Sequence, residues 1–294
     1  MLSVRLAEIF TDNMVLQRNK EIALFGYGKG KGTIECCDKK IEFESVEERF
    51  CVYLPAENAG GPHVMKVILN EEETILNNIL IGDVYIAAGQ SNMEITLRDT
   101  TDIPQKENTN VRFFIEPHNA DPEMNNIRCN ESVWQVCDRE TILDFSAIGY
   151  DVANMINEQT DIPIGIIGCN KGASRVDAWT DPNIVETPSY QKMISEKHWD
   201  YDIYKFNQNS WLYINKLLPI VPFTVNGIIW YQGESNRRHE EALYYDKMLE
   251  LMIGNWRELW RENLPFTVCS LCLLKRNTLI GQQYAKVKNM FRKM

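Results

Sequence analysis

Apolar positions change their rhythm about a quarter of the way along this chain. Before residue 80, short runs recur at roughly ten-residue spacing: Ile22-Ala23-Leu24-Phe25-Gly26-Tyr27, Thr33-Ile34-Glu35-Cys36, Arg49-Phe50-Cys51-Val52-Tyr53-Leu54, Val64-Met65-Lys66-Val67-Ile68-Leu69 and Thr74-Ile75-Leu76. Pro55, Gly60-Gly61-Pro62 and the polar stretch 70–73 separate them. Such punctuation predicts a small antiparallel β-sandwich over 1–80. The glycines at 28, 30 and 32 read as a hairpin turn between the first two runs. They lack the following helix and the Gly-Lys-Ser/Thr ending of a phosphate loop.

After residue 80, strand-like runs at 84–88, 111–115, 164–168, 227–231 and 266–274 alternate with helical patterns. Phe145, Ile148, Gly149, Val152, Ala153 and Ile156 repeat at helical spacing, as do Tyr245, Met248, Leu249, Met252, Ile253, Trp256, Leu259 and Trp260. The aromatic stripe of the second pattern is read as core. Alternating strands and helices predict a mostly parallel sheet covered by helices, an α/β domain over 81–274. The segments 96–110 and 181–202 read as long surface loops framing a cleft.

Composition narrows the function classes. The 294 residues carry a net charge of −10, which disfavours nucleic acid or an anionic membrane as the main partner. No apolar run approaches the ~20 residues of a membrane span, and the N-terminus lacks a basic start followed by an apolar segment, so a cytoplasmic location is expected. The eight cysteines read mostly as buried thiols. Cys269 and Cys272 form a lone C-x-x-C without a second pair at zinc spacing, so no metal is expected. Cys36 and Cys37 are expected on opposite faces of a strand.

Three strand ends hold the candidate chemistry. The first runs Gly82-Asp83-Val84-Tyr85-Ile86-Ala87-Ala88-Gly89-Gln90-Ser91-Asn92-Met93 and delivers Ser91 to the carboxyl end of a strand. Ligands bind at that edge in open α/β sheets, and a serine there is a candidate nucleophile. The second ends in Asn170-Lys171-Gly172-Ala173-Ser174, where bare backbone at Gly172 could donate to an oxyanion. The third ends in Trp230-Tyr231-Gln232-Gly233-Glu234-Ser235-Asn236. There Gln232 offers a side-chain amide donor, and Glu234 can orient a base or fix the loop. Each segment alone is also an ordinary polar turn or helix cap; together they are harder to read as three independent turns.

These blocks resemble the sialate O-acetylesterase family within the SGNH (GDSL-like) hydrolases. Phe10-Thr11-Asp12-Asn13-Met14-Val15-Leu16-Gln17-Arg18, Leu54-Pro55-Ala56, Ala59-Gly60-Gly61-Pro62, Phe145-Ser146-Ala147 and Asn255-Trp256-Arg257 extend the likeness from about residue 5 to about 268. The resemblance implies an SGNH-type three-layer α/β/α (flavodoxin-like) domain after the N-terminal sandwich. It also implies an esterase that removes O-acetyl groups from sialic acids or related sugars without a cofactor. Ser91 would be the nucleophile, with the Ser91 and Gly172 N–H groups and the Gln232 amide as oxyanion donors, supported by Gln90, Asn92 and Glu234. Acetylxylan esterase, the same chemistry on another polysaccharide, stays open as an alternative.

The family's base comes from a C-terminal Asp-x-x-His, which is not found here. Of the four histidines, His63 reads as a surface loop residue of the sandwich, His118 and His198 as loop residues bordering a cleft, and His239 as part of a solvated first helical turn. The last 20 residues hold six Lys/Arg and no acid, while the preceding 274 hold 25 basic and 41 acidic residues. A basic tail over 275–294, produced by truncation or a frame shift that removed the catalytic element, is the expectation. A catalytically inactive or carbohydrate-binding homologue is the corresponding alternative function.

Overall fold

The structure, a computed structural model, describes residues 4–100, 107–115, 133–194, 204–236 and 241–269. His118, His198, His239, Cys272 and the basic tail lie outside the described residues. The strands are β1 (Arg5–Leu6), β2 (Val15–Gln17), β3 (Ile22–Tyr27), β4 (Gly30–Cys36), β5 (Lys39–Ser45), β6 (Arg49–Leu54), β7 (Gly60–Leu69), β8 (Glu72–Gly89), β9 (Asn108–Ile115), β10 (Val133–Cys137), β11 (Ile164–Asn170), β12 (Gly227–Tyr231) and β13 (Phe266–Val268). The α-helices are α1 (Ser91–Glu94), α2 (Ala147–Thr160), α3 (Pro182–Val185), α4 (Pro188–Gln191) and α5 (Glu241–Trp260).

Strand β8 organises the fold. Its first half pairs antiparallel with β7, from Leu69↔Glu72 to Gly60↔Ile81, and its second half pairs in parallel with β11 and β12. Antiparallel β4, β5 and β7 therefore continue into parallel β9, β11, β12 and β13 as one ten-stranded mixed sheet among the described residues. The break expected near residue 80 falls inside this strand, so the change there is from antiparallel to parallel pairing, without a linker. Strands β1, β3 and β6 form a separate three-stranded antiparallel sheet. Its Ile22, Leu24 and Phe50 share one apolar cluster with Ile34, Met65 and Val67 of the large sheet.

The glycines at 28–32 do something other than turn a hairpin. Strand β3 belongs to the small sheet and β4 to the large one, so this segment carries the chain between sheets. Gly28 (φ 101°) and Gly30 (φ 151°) provide that corner, in backbone regions closed to most side chains. The hairpin instead joins β4 to β5, with Cys36 opposite Lys39.

In the parallel half, consecutive residues face opposite ways. Ile86, Ala88, Ile228 and Trp230 join a cluster with Met248, Met252 and Trp256 of α5. Ala87, Ile166 and Ile229 join another with Phe113, Phe145, Tyr150 and Ala153, the last two from α2. Both sheet faces are thus covered, which is why the strands here read as continuous apolar runs. Ser146 caps α2 by accepting from the Gly149 N–H at 3.2 Å. The described part of 181–202 also departs from the loop expectation: α3 and α4 form there, each with Pro at its start, and they bury Val185 and Tyr190.

Candidate active site

The carboxyl ends of β8, β11 and β12 are level, because Gly89 lies opposite both Asn170 and Tyr231. With β11 on one side of β8 and β12 on the other, the loops leaving these strands open a crevice at that edge. Gly89 makes the exit from β8 possible. Its φ is 136°, and a Cβ there would sit 2.1 Å from the Tyr231 carbonyl oxygen. Immediately beyond, the Gln90 N–H donates to that same carbonyl at 2.9 Å, and the chain turns into α1 with Ser91 as its first residue.

Ser91 is exposed, Asn92 half-buried and Met93 fully buried, so the short helix pins one side in the core and presents the hydroxyl outward. Gly172 lies alongside: a Cβ built on it would be 3.8 Å from the Ser91 Cβ. The two positions expected to supply nucleophile and backbone donor are therefore in contact range. The Gly172 N–H is already engaged, donating to Glu94 Oε2 at 2.7 Å. Sequence reasoning missed Glu94, although it stands three residues after Ser91, on the same face of a helical turn.

Gln232 occupies a different position from the one expected of an open oxyanion donor. It is 2 % exposed, and its Nε2 donates to the Ser174 carbonyl at 2.9 Å and to Asn236 Oδ1 at 2.8 Å. Its Oε1 accepts from the Tyr245 hydroxyl at 2.7 Å. Both amide protons are thus committed, and the side chain ties the loops after β11 and β12 to α5.

The supporting residues lace the loops after β8 and β12 together. Gln90 Oε1 accepts from the Gly233 and Ser235 N–H groups, each at 3.2 Å. Asn92 Nδ2 donates to Glu234 Oε1 at 2.5 Å. Glu234 therefore fixes the short helix that begins at Ser91. On the remaining side, the Lys171 N–H donates to the Gly89 carbonyl at 3.0 Å.

Beneath the loop after β11 lies a buried ionic network that the sequence pattern did not single out. Arg175 donates through Nε to Asp177 at 3.1 Å and through Nη2 to Glu241 at 2.8 Å, with all three side chains at most 4 % exposed. Asn207 accepts from the Arg175 N–H and donates to the Ala173 carbonyl, both at 2.9 Å. The loop carrying Gly172 is thereby held to α5 and to the chain around residue 207.

Among the described residues the one histidine is His63, half-buried on β7 opposite Ile79 and outside any loop. Ile79 and Gly89 are ten residues apart on β8, roughly 30 Å at strand rise. His63 cannot reach Ser91.

A sequence profile described as "Carbohydrate esterase, sialic acid-specific acetylesterase" matches residues 81–293. The chain belongs to this carbohydrate esterase family. It is similar to the sialate O-acetylesterases of Pongo abelii and Homo sapiens, 25 % identical over 283 residues in each, covering 87 % of this chain and 53 % of each relative. The chain thus spans about half the length of the curated relatives it matches. Its fold is similar to that of a carbohydrate acetylesterase from Xanthomonas citri, with a TM-score of 0.83 and 27 % identity, covering 99 % of this chain and 66 % of that one. The family's profile begins at residue 81, in the middle of β8 and two residues before its parallel pairing with β11 starts at Asp83.

Proposed function

We propose that this chain is a carbohydrate O-acetylesterase in which Ser91 is the nucleophile, set in an SGNH-type three-layer α/β/α arrangement behind an N-terminal β-sandwich. The close approach of Gly172 to Ser91 at the level ends of three parallel strands carries this reading. Ser91 Oγ attacks the acetyl carbonyl and forms the new C–O bond of an acyl-enzyme. The ester C–O bond to the sugar then breaks, and the sugar oxygen leaves with the proton given up by the Ser91 hydroxyl. Water attacks the acyl-enzyme and releases acetate. The Ser91 and Gly172 N–H groups stabilise the developing oxyanion, and Gln232 joins them by turning one amide proton away from Asn236. Donors of this kind contribute about 3 kcal/mol each. The substrate is an O-acetylated sialic acid or related sugar, in line with the names of the relatives.

A second reading is favoured by the carboxylate of Glu94 on the Gly172 N–H. While that contact holds, one oxyanion donor is filled, and the crevice binds an acetylated sugar without turning it over. One experiment separates the readings. The chain is incubated with 4-nitrophenyl acetate, then with O-acetylated sialic acid and with acetylated xylan, and digested peptides are weighed for acetyl-Ser91. Acetylation of Ser91 that disappears in Ser91→Ala supports the esterase. Sugar binding with no acetyl-Ser91 supports the second reading. The relative rates on the two sugars choose between sialate and xylan chemistry.

A further inference from the structure

Far from the esterase crevice, two thiols meet at a cavity. Cys36 ends β4, and the next residues, Cys37 (φ 51°) and Asp38 (φ 57°), are both left-handed, as in a two-residue hairpin turn of the primed type. That turn breaks the strand alternation which was expected to separate the two side chains, so their sulfurs lie 3.5 Å apart. Cys36 is buried and Cys37 half-buried. Both line a cavity of about 710 Å³, together with Asp38, Glu57, His63 and Lys66. Hydrogen bonding from the Cys36 thiol holds Cys37 below the usual thiol range, and the same bond, with burial, holds Cys36 above it. The pair therefore presents one activated sulfur and one protonated partner beside it.

Two sulfurs bound at about 2.3 Å each to one soft pyramidal centre, with bond angles of about 100°, lie roughly 3.5 Å apart, the spacing already present. A structural zinc needs four ligands. Among the described residues, no group of three or more His, Cys, Asp or Glu side chains is gathered to hold a metal ion. The ligand that fits needs only two sulfurs and fills its remaining valence with carbon. Soft thiolates prefer such soft centres.

We propose that Cys36 and Cys37 form a dithiol site for monosubstituted trivalent arsenic, with its organic group lying in the adjoining cavity. An arsenoxide R–As=O loses its oxygen as water by taking both thiol protons. Two S–H bonds and the As=O bond break, two As–S bonds form, and no electron is transferred.

The test uses the full chain carrying Cys269→Ser and Cys272→Ser, which removes the C-x-x-C pair, with equimolar phenylarsine oxide as the probe. Intact mass should show one adduct that survives glutathione and is released by 2,3-dimercaptopropanol. The thermal midpoint should rise, because the folded pair binds better than the unfolded one. Cys37→Ser in the turn, and separately Cys36→Ser in the strand, should each weaken retention at least tenfold, whereas Cys51→Ser should leave it unchanged. Absence of the adduct, equal retention in the Cys37→Ser and parent chains, or an unchanged midpoint would overturn the proposal.

Discussion

Gly172 donates its backbone N–H to Glu94 Oε2 at 2.7 Å, so a side-chain carboxylate occupies the donor that the proposed mechanism gives to the oxyanion. A hydrogen bond to a charged group contributes about 1.5–3 kcal/mol. On the proposed mechanism, a substrate carbonyl displaces this carboxylate before the Gly172 N–H can serve it.

Removing the competitor should therefore help the first chemical step. In Glu94→Ala, the rate of Ser91 acetylation by 4-nitrophenyl acetate should rise up to roughly tenfold. The rate is followed by burst kinetics and by the mass of the Ser91 peptide. A slower burst would show that Glu94 positions the loop and does not block it.

The buried ionic network makes a second prediction. Glu241→Ala removes one of the carboxylates that Arg175 meets, in an interior where its charge is poorly solvated. Loss of one partner of a buried ion pair costs about 3–5 kcal/mol, or a fall of about 10 °C in thermal midpoint for a chain of this size. Calorimetry checks it. Because Arg175 also anchors the loop bearing Gly172, acetylation of Ser91 should fall in parallel.

Gly89→Ala should be among the most damaging single changes in the chain. The added methyl would lie 2.1 Å from the Tyr231 carbonyl, at a φ of 136° that alanine avoids. Adjacent backbone leaves nothing flexible to yield, so a loss above about 4 kcal/mol or failure to fold is expected. Soluble yield and urea midpoint are the measurements.

Alkali should loosen the cluster beneath α2. Burial pushes the Cys137 thiol up from 9.0 to about 11 and the Tyr150 phenol up from 10.0 to about 12. The folded chain holds these protons more tightly than the unfolded one. Their contribution is therefore complete below about pH 9, declines as pH rises through 9–11 for the thiol and 10–12 for the phenol, and is gone above. Urea midpoints measured across that window should fall, and Cys137→Ala should flatten the part of the fall that begins near pH 9.

What the sequence disclosed was local. Ser91 and Gly172 stood out because a buried strand that ends in glycine and polar residues announces itself within a dozen positions. Partners far along the chain left no such mark. Glu94 meets a glycine 78 residues later, and Arg175 meets a carboxylate 66 residues later. The same limit explains the role of Gln232: its residue type suited an oxyanion donor, but its partners, Ser174 and Tyr245, become neighbours only in the fold. Strand β5, Lys39–Ser45, escaped notice because charged residues dominate it, with Ile41, Phe43 and Ser45 turned inward between exposed neighbours. The continuity of β8 was hidden by Asn77 and Asn78, which look like a turn, and Asn78 does adopt a left-handed φ of 55° without ending the strand.

One strand that serves both the antiparallel and the parallel halves of the large sheet removes any safe place to cut the gene at the change in texture. A fragment starting at residue 81 would retain the family's profile but forfeit the ladder that β7 and β2 make with the first half of β8. The serine's perch would then hang from a frayed end. Expression boundaries for this protein belong before Val4, with the N-terminal strands serving as the foundation on which the turn at Ser91 is mounted.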